Sequence, residues 1–538
     1  MTSIKRQIIR LATLAATVLL LAGCAHGVRF ADAPPVWQLD DRNPIPLPEA
    51  TRYIRMDYYA KTLVRRPLTS PIDFPPRTRS RDVNALDHVP ASTWYTPRLG
   101  YREITPERLL EGPRRIGPPQ PPVRVVRAKS SGSNPGFVIA DSRDRLYLIK
   151  FDPRNNPGVE TTTALIVNRM FWGFGYNVPE DYLYFFNSAE VPVDPTADIT
   201  EEAVKLVFDA VAPPRDGLYR ATASLLIDGL SLGPIPDEGR RKDDPNDRFD
   251  HEDMRILRAL RVFCAFTNQT DIRIDNSLDV YEGMPGEGFV RHYLLDFGGA
   301  FGAEGAAYDR PWDGYTHIFS YGDVFENLLT LGLQIRDWER IRPTPWRSVG
   351  SFEARHFDPA TWKETYPYVP IQRAEACDTY WAAKIVATLS RAHIAALVDA
   401  ADYPEPGAAE YMIETLMQRR EKVIRHYFAE VSPLESAGIH GGNLAVVDLG
   451  RRYLVGLPET RYEVRLRSDD GTQVAGTRYL RADGDQINIP LPAEAVEEAD
   501  GYLRVCIRVW RGEKAAPRDA EFHLRGTADA LRVVGVVH

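Results

Sequence analysis

The chain has 538 residues, 44% hydrophobic and 10% aromatic, and its 66 Lys and Arg against 74 Asp and Glu give a formal net charge of -8 at pH 7. That apolar content supports packed cores, enough for two or three domains at about 100 to 200 residues each. The negative balance argues against a general nucleic-acid binder, whose phosphate contacts need a basic surface.

At the amino terminus, Lys5, Arg6 and Arg10 precede an apolar run from Leu11 to Leu21. The run is short for a bilayer span and suits the core of a secretion signal. It ends in Leu21-Ala22-Gly23-Cys24, a lipobox in which Cys24 resembles the residue that bacterial lipoproteins acylate before it becomes the mature first residue. Residue 25 is alanine, whereas an aspartate there resembles an inner-membrane retention signal. The expectation is a signal peptide over 1–23, a covalent lipid of the palmitate type on Cys24, and a protein anchored at the outer membrane, facing the periplasm or the cell surface. An ordinary signal cleaved after a small residue is the alternative. Nothing after Leu21 reads as a membrane span. Cys264, Cys377 and Cys506 are widely separated, without zinc spacing or the density of a disulfide framework. Cys264, inside an apolar run, reads as a small core residue.

Residues 31–122 carry 17 of the 42 prolines, too dense for continuous helix or central strands. Trp37, Tyr53, Tyr58, Tyr59, Phe74, Trp94 and Tyr95 make the same stretch too aromatic for a disordered linker. Residues 24–122 therefore read as an extended wrap, anchored best at Asp82 to Gly100. From there the pattern predicts a strand over Val123–Arg127, a turn over Ser130–Gly136, and a hairpin of Phe137–Ala140 and Leu146–Phe151. A helix over Glu160–Phe174 and strands over Tyr182–Phe186 and Ala223–Ile227 follow. A helix over His251–Phe266, N-capped by Asp250, delivers the chain to Asp271. Strands Ser277–Tyr281 and Phe289–Leu295 come next, then amphipathic helices over Thr379–Ala400 and Gly407–Phe428. Beyond Pro433 strict alternation sets in over Arg461–Ser468 and Gly501–Trp510, with a turn at Asp469-Asp470-Gly471 and a last strand over Ala530–Val537. This spacing predicts a β-sandwich over 436–538, a surface suited to an envelope protein or glycan partner.

The chemistry concentrates in Asp271-Ile-Arg-Ile-Asp-Asn276 and, one hairpin later, His292-Tyr-Leu-Leu-Asp296-Phe-Gly298. An aspartate five residues before an asparagine, then a second aspartate after an apolar strand and before glycine, is how kinase folds set a catalytic carboxylate and two metal ligands around ATP. In those roles Asp271 orients and deprotonates the acceptor hydroxyl, while Asn276 and Asp296 bind Mg²⁺, which needs few protein oxygens. Lys150, near the end of an apolar strand, is placed to neutralise phosphates, and Glu160, opening the next helix, to hold that ammonium. Singly, each reads first as a solvated surface charge, since Lys and Glu are mostly exposed, and it is the downstream motif that singles them out. Ser131, Gly132 and Ser133 supply amides and hydroxyls where a phosphate-covering loop belongs, or an ordinary turn. Asp275 is a further metal-assisting carboxylate or a turn former. His251 reads as helix-terminal polarity and His292 as a satisfied core residue.

Residues 124–430 resemble atypical kinases of the HipA type, phosphatidylinositol-kinase-like proteins and the CotH-type spore-coat kinases. The likeness rests on Asp271 and Asn276, on Asp296, and on Gly132-Ser-Asn-Pro-Gly-Phe137 leading to Lys150. Gln269-Thr270 stand where protein kinases have His-Arg, the downstream Ala-Pro-Glu element is missing, and Arg273 or Ile274 stands where HipA has a histidine. The resemblance implies an α+β, two-lobed protein-kinase-like fold over 123–435, with Mg-ATP or a related nucleotide as cofactor and phosphoryl transfer as the activity. The alternative is a pseudokinase or envelope scaffold.

Overall fold

The computed structural model describes residues 28–69, 78–129, 134–303, 310–331, 333 and 335–538. The leader, Cys24, and Ser131, Gly132 and Ser133 lie outside these. The protein is a mixed α+β molecule with several antiparallel sheets, and its described residues divide into two compact units, one within 37–83 and 89–427, the other within 28–36, 84–88 and 428–538.

In the first unit, β1 (Arg124–Ala128), β2 (Gly136–Ala140), β3 (Leu146–Phe151), β4 (Asp181–Phe186) and β5 (Tyr219–Leu225) form an antiparallel sheet in the order β1-β2-β3-β5-β4. Phe137, Ile139, Tyr147, Ile149, Phe151 and Ala223 meet in one apolar cluster, which aligns β3 so that the alternate residue Lys150 faces away from it. The predicted strand at Ala223 begins four residues earlier, since Tyr219 to Ala221 complete the pairing with β4. The helix Val159–Phe174 is buried along its whole length rather than on one stripe. Its first amides are capped from the preceding strand end: Asp152 accepts from Glu160 N and Thr161 N at 2.9 Å each. It stops at Gly175, φ 117°, where a Cβ would fall 2.0 Å from the Tyr95 ring.

The helix predicted over His251–Phe266 is broken, and Asp250 makes no capping bond. A short 3₁₀ turn gives way at extended Met254 to helices Arg255–Arg258 and Leu260–Thr267. The cap comes instead from Asp82, whose carboxylate accepts from Arg255 N at 2.5 Å and Ile256 N at 3.2 Å. A remote carboxylate thus replaces the local one, starting the helix a turn later. Strands β6 (Leu230–Gly233), β7 (Ser277–Glu282) and β8 (Phe289–Leu294) form a second sheet. The predicted helix Thr379–Ala400 is two, Ala376–Ala387 and Arg391–Ala400, bent by 73°, because Ser390 caps the second through His393 N. Residues 55–69, inside the proline-rich stretch, are helical with a π-turn at Ala60–Arg65, a departure from the extended reading made possible because residues 49–66 hold no proline. Within the same stretch Trp94 and Tyr95 are buried and Tyr95 bridges Tyr176.

The second unit holds a sheet of β9 (Leu434–His440), β10 (Asn443–Asp448) and β13 (Gln486–Pro490). Its larger sheet contains β11 (Thr460–Arg467), β12 (Arg478–Leu480), β14 (Tyr502–Arg511), β15 (Lys514–Ala515), β16 (Ala520–Arg525) and β17 (Arg532–Val537). Side chains of both sheets share one core, including Leu444, Ile489, Val464, Leu503, Val505, Ile507 and Val509. Residues 84–88 belong to this unit: Ala85 O accepts from Val536 N at 2.8 Å, and Asp87 meets His538 at 3.0 Å.

Candidate functional site

Lys150 pairs with Gly136 on β2 and Thr222 on β5, near the end of β3. Its ammonium reaches across to Asp296, Nζ to Oδ1 at 2.7 Å. Burial acts to lower the Lys150 pKa, but Asp296, Asp181 and Glu160 together outweigh it and the net shift is upward. The Lys150 ammonium in turn holds the Asp296 carboxyl below its ordinary range. Asp296 follows β8 with φ 58°, a left-handed conformation that costs a non-glycine residue of order 1 kcal/mol or more and recurs where side chains are aimed for function. Its carbonyl accepts from Gln269 Nε2 at 3.0 Å, and Leu295 N donates to Asn276 O at 2.9 Å. Two backbone ties thereby fix Asp296 against the loop that carries Asp271.

Glu160 sits in the first turn of its helix but does not touch Lys150. Its Oε2 accepts from the Asn134 amide, while Oε1 is buried without a hydrogen-bond partner. Burial, then Asp152 and Asp296, push its carboxyl well above the usual range. The expected Lys150–Glu160 ion pair is therefore replaced by Lys150–Asp296, while burial disfavours the charged form of Glu160. A Cβ on Gly298 would lie 3.7 Å from Glu160 Oε2 and 3.9 Å from Asp296 Oδ1, so the two carboxylates flank this glycine. Lys129, which donates to Asn134 O at 2.6 Å, is lowered in pKa by burial and by repulsion from Lys150.

Asn276 ends the 3₁₀ turn Ile274–Asn276 and donates its amide to Asp271 O at 2.7 Å and Oδ2 at 2.9 Å. Arg273 grips the same carboxylate, Nε to Oδ1 at 2.7 Å and Nη2 to Oδ2 at 3.1 Å, and reaches Asp275 at 3.2 Å. Burial lowers the Arg273 pKa, but Asp271 and Asp275 more than compensate, and the net direction is up. The guanidinium also donates from Nη1 to Tyr59 Oη at 3.3 Å and lies 5.6 Å from the Tyr366 ring, which stacks on Tyr59 at 5.2 Å. Of the residues that the sequence singles out, the structure brings Lys150 to Asp296 and Asn276 to Asp271. The sequence reading gives no site role to Tyr59, Tyr366 or Lys129, has Asn134 only as part of the Gly132–Phe137 motif, and treats Arg273 only as a replacement; the paired tyrosines Tyr58-Tyr59 in a proline-rich stretch were the one available signal.

The two histidines are structural. His251 is tied to Pro236 O at 2.6 Å and Asp247 at 3.0 Å, and His292 to Asp279 at 2.6 Å while stacking on Trp94. Cys264, Cys377 and Cys506 are buried free thiols. Among the described residues, no group of three or more His, Cys, Asp and Glu side chains is set to hold a metal, a criterion that a carboxylate paired with an amide does not meet. Comparison of the chain with protein families, curated proteins and solved structures gives no match.

Proposed function

We propose that the protein is a phosphotransferase with a two-lobed, protein-kinase-like arrangement over 123–435, acting on an acceptor hydroxyl. The observation that carries this reading is the Lys150–Asp296 pair at 2.7 Å beside the Asp271–Asn276 loop. The residues fit a magnesium ion and phosphates. Asp296 is half exposed yet held ionised, Glu160 keeps a buried oxygen without a partner, and two lysines lie close enough to repel each other. When bound, a Mg-nucleotide would supply the phosphoryl group. Lys150 would then neutralise phosphate oxygens, Asp296 and Asn276 Oδ1 would hold the cation, and Asp271 would orient the acceptor hydroxyl and take its proton. A lipid on Cys24 would tether this chemistry to the outer membrane. A Cys24→Ser chain should lose acylation and membrane fractionation; unchanged lipid labelling would remove that part.

A pseudokinase or scaffold is the second reading, favoured by the engagement of both Asp271 oxygens with Arg273 and Asn276. Thermal shift with ATP and other nucleotides, with and without Mg²⁺, separates the two. A magnesium-dependent rise in Tm that Asp296→Ala abolishes is expected, and no rise with any nucleotide in Mg²⁺ or Mn²⁺ would favour the scaffold.

A further inference from the structure

The stretch from Trp312 to Trp338 is built inside out. Several of its described polar groups are used internally or at its base: His317 Nδ1 meets Glu364 O at 2.7 Å, Ile318 N donates to Thr365 O at 2.8 Å, and Arg336 donates to Asn327 Oδ1 at 3.2 Å. Its aliphatic side chains face solvent instead. Leu328 is 71%, Leu329 68%, Leu331 84%, Leu333 82% and Ile335 63% exposed, and no residue from 328 to 335 is charged. Isolated exposed leucines need no explanation, but a contiguous run marks an interaction surface. Val324, Ile318 and Phe319 of the same stretch are exposed as well.

We infer that this surface inserts shallowly into an anionic lipid bilayer. The helix ends at Leu329, so 331, 333 and 335 lie beyond it and the exposed set is not one continuous helical stripe of the kind a protein groove takes; apolar side chains on an irregular stretch suit a fluid medium. The base of the segment carries the anchors of a membrane interface. Trp312 and Trp338 sit together with ring centroids 6.2 Å apart, and tryptophans prefer the headgroup level. Arg340, Arg342 and Arg355 converge with His356 around one open cavity, the charge complement of acidic headgroups. Among the described residues no single helix is long and apolar enough to cross a membrane, so the segment would lie in the interface. This inference is independent of phosphoryl transfer.

The test uses the full chain with Cys24→Ser, in which Cys264, Cys377 and Cys506 are buried. An environment-sensitive thiol dye is placed at Leu333→Cys or, as a second position, Leu328→Cys, with Met284→Cys, 69% exposed elsewhere, as control. On phosphatidylglycerol vesicles the dye at 333 and 328 should shift to the blue and be quenched by brominated lipid, with much less change on phosphatidylcholine and none at 284. Arg342→Gln or Arg355→Gln should weaken partitioning about fivefold each, from ~1 kcal/mol per arginine at an anionic surface. No quenching at 333 and 328 on phosphatidylglycerol, or equal quenching at 284, overturns the inference. A blue shift that grows with protein concentration without lipid also overturns it, in favour of a second copy of the chain.

Discussion

Asp448 in the second unit and Glu160 in the first are both buried carboxylates, and they are treated in opposite ways. Asp448 takes both oxygens to Arg511 Nη2 at 2.6 and 2.7 Å, accepts Tyr462 Oη at 2.7 Å, and caps a helix through Arg451 N at 3.2 Å. Glu160 has one amide partner and one buried oxygen with none, and its carboxyl is pushed well up by burial. A carboxylate whose lone pairs are all satisfied by the fold holds the fold together. One left partly unsatisfied beside two lysines is a cost that a ligand would offset, which is why the neighbourhood of Glu160 reads as a site and that of Asp448 does not.

The comparison is broken first at its structural end. Asp448→Ala should cost about 3–5 kcal/mol, because it leaves the Arg511 guanidinium unpaired, measured by urea unfolding of the purified protein. A cost below ~1 kcal/mol would show that the cluster is not structural.

Near the site, burial raises the Asp181 pKa from 3.8 to about 6. The folded state therefore binds the proton more tightly than the unfolded chain, and the stability this gives is full below pH 3.8 and lost as pH rises through about 6. That loss is roughly 3 kcal/mol. Asp181→Asn should flatten the stability profile between pH 4 and 7 by that amount, read from urea midpoints across pH; an unchanged slope would remove the burial argument.

The smallest effect concerns Tyr59. Tyr59→Phe keeps the stacking on Tyr366 and deletes the polar contacts of the hydroxyl, with Arg273 at 3.3 Å and with Tyr366, so stability should fall by no more than about 1 kcal/mol. Tyr59→Ala should cost more, through the lost ring contact. Identical unfolding midpoints for the two variants would show that stacking contributes nothing.

The sheet strands and the hairpin leading to Lys150 were legible because alternation and turn residues are local signals. So was the carboxy-terminal alternation of Leu503, Val505, Ile507 and Val509. The site's conjunction of Asp271, Asn276 and Asp296 was legible for the same reason, all three lying within one loop and one hairpin. What escaped depends on partners far along the chain. Asp82 caps the helix at Arg255 from 173 residues away, Arg273 reaches Tyr59 across 214, and Lys150 finds Asp296 across 146 rather than the nearby Glu160. No periodicity encodes such choices.

Calorimetry of Mg-nucleotide binding, paired with a radiolabelled transfer assay on Asp296→Ala and Asp271→Asn, tests the division of labour in the site most directly. Asp296→Ala should abolish or strongly weaken binding, whereas Asp271→Asn should bind within a few fold of the parent while transfer falls by about 10² or more. Equal behaviour of the two variants, or a parent protein that binds no nucleotide with Mg²⁺ or Mn²⁺, would contradict the phosphotransferase reading.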